Sequence, residues 1–166
     1  PWPMWCHQMR VYGCRMACSR PVEPVVTAHL TAEREYGLAS LETYYAFAER
    51  VRHSRASLTE LLRELQGDGA RVVGYAASSK GTVILNYCGI GPETLEYVCD
   101  NTPSKHGLFT PGTHIPIVPI DQFAENYPDY AFVLAWNHLK EISAKEQTFR
   151  EQGGKFISHI PTARIT

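Results

Sequence analysis

The sequence lacks a basic excess: 16 Lys and Arg stand against 17 Asp and Glu, a net charge of -1 over 166 residues. A surface that neutralises nucleic-acid phosphates shows up as a positive surplus, so no nucleic-acid partner is expected. Long apolar runs are also missing. None approaches the roughly 20 residues needed to span a bilayer, so no membrane partner is expected. The start has neither the apolar core nor the small-residue cleavage pattern of a signal peptide. It opens on Pro1 rather than Met, which suggests a fragment or an incomplete reading frame. An even set of cysteines is absent too. There are five, whereas a secreted disulfide framework favours an even count in a shorter chain. We therefore expect a reducing, cytoplasmic setting, with Cys88 and Cys99 buried as small hydrophobes inside apolar runs. Aromatic residues are not scarce: at 11% of the chain, beside 44% hydrophobic and 20% charged residues, they exclude intrinsic disorder.

The first twenty residues differ from the rest. Residues 1–20 hold all three Met, two of the three Trp and three of the five Cys, with neither strand alternation nor a helical face. We read them as an irregular arm. Cys6, His7, Cys14 and Cys18 offer only one pair, Cys14 and Cys18, at the spacing of a structural zinc site, so no metal ligands are assigned.

Residues 21–70 read as a helical lead-in. Val26, Leu30 and Glu33 lie about a turn apart before Gly37 stops the run. Leu41, Tyr44, Tyr45, Ala48 and Val51 then share one helical face. Ser57 to Glu60 has the form of a capping box, and Leu58, Leu61, Leu62 and Leu65 follow it. Residues 40–66 are thus one long helix, or two meeting near Arg55.

Residues 71–166 alternate strand and helix. Strands are expected over 71–75, 95–99, 115–118, 130–136 and 156–160. Helices are expected after Ser79, from a cap at Asp121, and over 139–152 with a Glu141–Lys145 pair. Residues 101–114 read as a long irregular loop. Continuous apolar strands alternating with helices imply an α/β fold: a Rossmann-like three-layer sandwich with a mostly parallel sheet, preceded by helices.

Such sheets bind ligands outside the carboxyl ends of their strands. The residues there are Gly74, Tyr75, Ser78, Ser79 and Lys80 after the first strand, and Asp100, Asn101 and Lys105 after the second. Trp136, Asn137 and His138 follow the fourth strand, and Pro161 and Arg164 the last. Gly74 to Ser79 occupies the place of a G-x-G-x-x-G fingerprint, with Ala76 and Ser79 replacing two glycines. Small residues there let backbone amides approach a phosphate at a helix start. Lys80 adds a charge, and Asp100 falls where a ribose hydroxyl would be held. Lys105, His106, Gly112 and His114 belong to a loop that could cover a substrate. A nicotinamide-dependent enzyme and a non-catalytic interaction domain are the alternatives to a phosphate-anchoring domain.

Four ordered blocks carry a resemblance: GYAASSKGTVILNYCGI, DNTPSKHGLFTPGTHIPI, PDYAFVLAWNHLKEI and GGKFISHIP. From about Pro21 to its end the chain resembles the C-terminal domain of the SAM-dependent C-methyltransferases that act on nucleotide-linked deoxysugars. The resemblance implies a Rossmann-like fold that helps hold a dTDP-linked keto-deoxysugar. The substrate-binding set it suggests is Gly74, Tyr75, Ser78, Ser79, Lys80, Asp100, Lys105, Gly112, His114, Trp136 and Asn137. It further implies a parent design with a zinc-binding N-terminal domain and a SAM-binding methyltransferase domain, the latter a partner that would supply the missing half. Several family features have no match. The Tyr-x-Glu-His motif tied to proton abstraction is absent, as is the SAM-binding glycine motif. Val11 to Cys14 matches a His-Gly-Gly-Ser-like stretch only in part, with Tyr12 at the His position. Ala76 stands where the family usually shows Gly, and Cys6, Cys14 and Cys18 do not match the zinc cysteines. No catalytic residue and no cofactor of this chain's own are therefore assigned. SAM is the cofactor of the full-length enzyme.

Overall fold

In a computed structural model of the chain, the described residues are 10–15, 17, 19 and 21–166. Cys6, His7 and Cys18 lie outside them, as does most of the expected arm. By compactness the chain divides into two units, 1–50 and 51–166.

The first unit holds α1 (Pro24–Tyr36) and the opening turns of α2 (Leu41–Gly67). Proline opens α1, where its missing N–H costs nothing. Gly37 ends it at φ 80°, its amide donating to the Arg34 carbonyl. No residue of α1 is buried.

The second unit is built on six strands: β1 (Val72–Tyr75), β2 (Val98–Asp100), β3 (Ile117–Pro119), β4 (Tyr130–Val133), β5 (Lys155–Ser158) and β6 (Arg164–Ile165). Their order across the sheet is β3-β2-β1-β4-β5-β6. All neighbouring pairs are parallel except β5 with β6. Helices cover both faces, as the alternating side chains require. On one face Val72, Val98, Phe132 and Ile157 meet Leu58, Leu62 and Leu65 of α2 and Leu85 of α3 (Ser79–Cys88). On the other, Val73, Tyr75, Cys99, Ala131, Val133 and Phe156 meet Phe123 of α4 (Ile120–Glu125), Ile142 of α5 (Leu139–Lys145) and Phe149 of α6 (Gln147–Glu151).

Local signals were overridden in several places. The Ser57–Glu60 capping box lies in mid-helix, because α2 runs on as one helix to dock its leucines on the sheet. The helix expected over 139–152 breaks at Glu146 (φ -93°, ψ 47°), whose carboxylate accepts from Tyr75 Oη at 2.7 Å. Asp121 sits in the first turn of α4 and does not cap it; the cap position is Pro119. The second strand begins at Val98 and not at Leu95. β6 was not expected. It pairs Arg164 with Ser158, so Arg164 is a strand residue and not part of a loop beyond the sheet.

Candidate functional site

The strand order reverses between β1 and β4. The chain steps outward from β1 to β2 and β3, then returns to place β4 on the other side of β1. Loops leaving such neighbours diverge and open a crevice at their carboxyl ends, the usual ligand position in open α/β sheets.

Three short segments meet there. The first is the turn from β1 into α3. Ala76 adopts φ 68°, a left-handed conformation rare for a residue with a Cβ. Its amide donates to the Cys99 carbonyl at 2.8 Å. Ser78 caps α3: its Oγ accepts from the Gly81 amide at 3.0 Å and donates to the Leu134 carbonyl at 3.2 Å. One hydroxyl thus ties the start of α3 to the segment after β4. Ser78 O also accepts the Thr82 amide, and as first-turn amides those of Ser79 and Lys80 have no intrahelical acceptor and, among the described residues, face the positive end of the helix.

The second segment follows β4. It carries Trp136 and Asn137, both half-buried, in a single 3-10 turn. Lys80 Nζ stands 5.2 Å above the Trp136 ring, a cation–π distance. The third segment follows β2. Asp100 Oδ1 accepts the Thr102 amide at 2.8 Å, and Oδ2 pairs with Lys105 Nζ at 3.1 Å. Burial works to raise the Asp100 pKa, but the Thr102 bonds and the Lys105 ammonium outweigh it and the net shift is downward. Lys105 Nζ also donates to the Ala77 carbonyl at 2.8 Å, which staples the β2 loop to the β1 loop. His106 Nε2 adds a contact to the Asp100 carbonyl at 2.8 Å.

With this geometry in place, relatives can be compared. The sequence profile described as the C-methyltransferase C-terminal domain matches residues 7–161. This chain belongs to that family. A curated relative, the C-methyltransferase NovU of Streptomyces niveus, is 40% identical over 155 residues, covering 93% of this chain. The chain spans 37% of that relative's length.

Within this C-methyltransferase C-terminal domain the expected site residues separate. Ser78, Ser79 and Lys80 after β1, and Trp136 and Asn137 after β4, lie at the carboxyl ends of these strands, and Lys105 and Asp100 brace the adjoining loops. Gly74 and Tyr75 do not face the crevice. A Cβ on Gly74 would lie 2.7 Å from Val98 Cγ2, so the glycine serves close strand packing. Tyr75 is buried on the α4–α6 face against Phe123 and Phe156, bonded to Glu146. Gly112 and His114 are elsewhere again. Phe109 bridges to Pro116 just before β3, so this hairpin tip lies toward the amino end of the strands. Asn86, far along α3, donates to the Pro111 carbonyl at 2.9 Å and would clash with a Cβ on Gly112.

Two residues of this edge escaped the sequence reading. Gly81 lets α3 approach Leu134, since a Cβ there would come within 2.6 Å of it. It supplies the helix–strand contact that the fingerprint assigns to its third glycine, displaced by two positions from Ser79. The other is His159, just beyond β5. It is 1% exposed, packs edge-on to Phe132 with centroids 5.5 Å apart, and has no partner for either ring nitrogen among the described residues. Burial holds its pKa down at about 4. No group of His, Cys, Asp or Glu among the described residues is arranged to hold a metal. No helix there is long and apolar enough to cross a membrane.

Proposed function

We propose that this domain anchors the nucleotide diphosphate of a dTDP-linked keto-deoxysugar for a SAM-dependent C-methyltransferase, and is catalytically incomplete on its own. The observation that carries the reading is the convergence at the β1–β4 crevice. Two first-turn amides at the start of α3 and the Lys80 ammonium suit a diphosphate. The Trp136 ring beside them offers a flat surface for a base or sugar. Methylation next to a ketone needs a proton removed, an enolate stabilised and a methyl donor in line. Gripping the remote diphosphate contributes by fixing where the reacting carbon sits.

SAM is the methyl donor on this reading. Asp100 at the end of β2 is only 6% exposed and accepts from Thr102 and Lys105, so its first role is to brace the β2 loop. Neither a SAM-binding glycine motif nor a Tyr-x-Glu-His motif occurs in the sequence.

Calorimetric titration of dTDP into wild type and Lys80→Ala tests the reading. Charge-assisted contacts of this kind are worth about 1.5–3 kcal/mol, so Lys80→Ala weakens binding roughly ten- to a hundredfold, with the melting temperature little changed. Equal affinities overturn the assignment of the diphosphate to the start of α3.

A further inference from the structure

The turn that leads from β1 into α3 is held in a conformation its own residues disfavour. Ala76 lies at φ 68°, a left-handed setting in which a Cβ crowds the backbone. The Ser78 amide donates back to the Ala76 carbonyl at 2.8 Å, which closes the chain in the tightest form of turn. Left alone, such a segment relaxes toward the extended or right-handed regions. Bonds on either side oppose this. The Ala76 amide donates to the Cys99 carbonyl at 2.8 Å, and the Ser78 hydroxyl donates to the Leu134 carbonyl at 3.2 Å. The carbonyl between them, that of Ala77, is taken by Lys105 Nζ at 2.8 Å, from 28 residues along the chain.

Lys105 is itself fixed from the sheet. It ends a single 3-10 turn, Pro103–Lys105, that starts beside Thr102. Asp100 holds both ends of that turn: Oδ1 accepts from the Thr102 amide at 2.8 Å and Oδ2 from Lys105 Nζ at 3.1 Å. The last residue of β2 therefore fixes the lysine, and the lysine fixes Ala77. Drawing the ammonium onto a ligand would strand a buried carboxylate and the Ala77 carbonyl, which is costly. Asp100 also cancels its charge, so Lys105 adds little attraction for an anion.

We propose that Lys105 is a positioning residue of the crevice: by holding the Ala77 carbonyl it keeps the strained β1–α3 turn in the form that presents Ser78, Ser79 and Lys80. Its consequence for binding rests on the diphosphate reading above; the hold on the turn does not.

Amide hydrogen exchange of the unliganded full chain tests the hold, and calorimetric titration with dTDP tests its consequence. Lys105→Met is expected to speed exchange over residues 76–82 about tenfold, while β4 and β5 keep their rates. It should weaken dTDP binding by a similar factor, since the binding groups are no longer preorganised. Glycine adopts the left-handed conformation without penalty, so adding Ala76→Gly to Lys105→Met should recover most of both losses. A lysine that touched the ligand directly would not be rescued in this way. Lys105→Met combined with Asp100→Asn removes the pair without leaving a lone buried charge. It serves if the single variant does not fold, and the same changes are expected. Unchanged exchange over residues 76–82 overturns the proposal. So does an affinity that falls and is not recovered by Ala76→Gly, which would make Lys105 a direct ligand contact. If the wild type binds no dTDP, the diphosphate reading fails, and the exchange rates still decide whether Lys105 holds the turn.

Discussion

On the α2–α3 face of the sheet the buried side chains are mainly aliphatic, led by Leu58, Leu62, Leu85, Leu95 and Ile115. On the α4–α6 face they are aromatic. Phe123, Phe149 and Phe156 pack with Tyr75 and Tyr127 at centroid separations of 5.0 to 6.5 Å, mostly edge to face. Each face also buries an ionisable group, and here they part. On the aromatic side the Tyr75 hydroxyl donates to Glu146. Burial and that carboxylate together push the tyrosine pKa far up, keeping it a neutral donor. On the aliphatic side His159 is buried against Phe132 with both nitrogens unpaired among the described residues. The same degree of burial is therefore stabilising in one case and a liability in the other, because only a partner offsets the loss of water.

Removing an aromatic keystone is the strongest way to break this comparison. Phe149 is fully buried, contacts Phe123, Tyr127 and Phe156, and presses on Gly154, where a Cβ would lie 2.0 Å from its ring. Phe149→Ala is expected to lower unfolding free energy by about 3–5 kcal/mol in denaturant melts. A loss below about 1 kcal/mol would show that this face repacks freely.

Acid tests the aliphatic face. The His159 pKa is depressed in the fold, to about 4 from an ordinary 6.5, so the unfolded chain binds the extra proton first. Stability is full above about pH 6.5 and falls as pH drops toward 4, by up to about 3 kcal/mol at 1.4 kcal/mol per pH unit. His159→Leu should flatten that part of the pH–stability curve. An unchanged curve would mean that His159 does not control it.

Tyr75→Phe is the gentlest test. It keeps the ring contacts and strands a largely buried Glu146 oxygen, which Lys145 approaches only to 3.6 Å. The expected loss is about 1–3 kcal/mol.

The order of elements and the α/β class were legible because they rest on local pattern: apolar strands, periodic helices, and glycines at their ends. The candidate crevice was half legible. Ser78, Lys80 and Trp136 lie where strand ends place them, so reading the strands located them. Gly74 and Tyr75 were misassigned to it because a strand's last residues alternate between its faces, and which face is open depends on what packs there. Gly112 and His114 look like a substrate loop from composition alone. Their place near the far half of α3 follows from the Phe109–Pro116 bridge, a pairing that no local pattern signals.

The sequence by itself determined the alternation of strands and helices, the exclusion of membrane-spanning runs, and the family to which the blocks belong. Tertiary structure alone decided which ionisable groups have partners, that α2 runs unbroken past a capping box, and that the last long helix splits at Glu146. Propensity and periodicity act over a few residues of chain. Pairing Tyr75 with Glu146, or Asp100 with Lys105 and the Ala77 carbonyl, depends on distances set only when the sheet closes its order and both layers of helices dock.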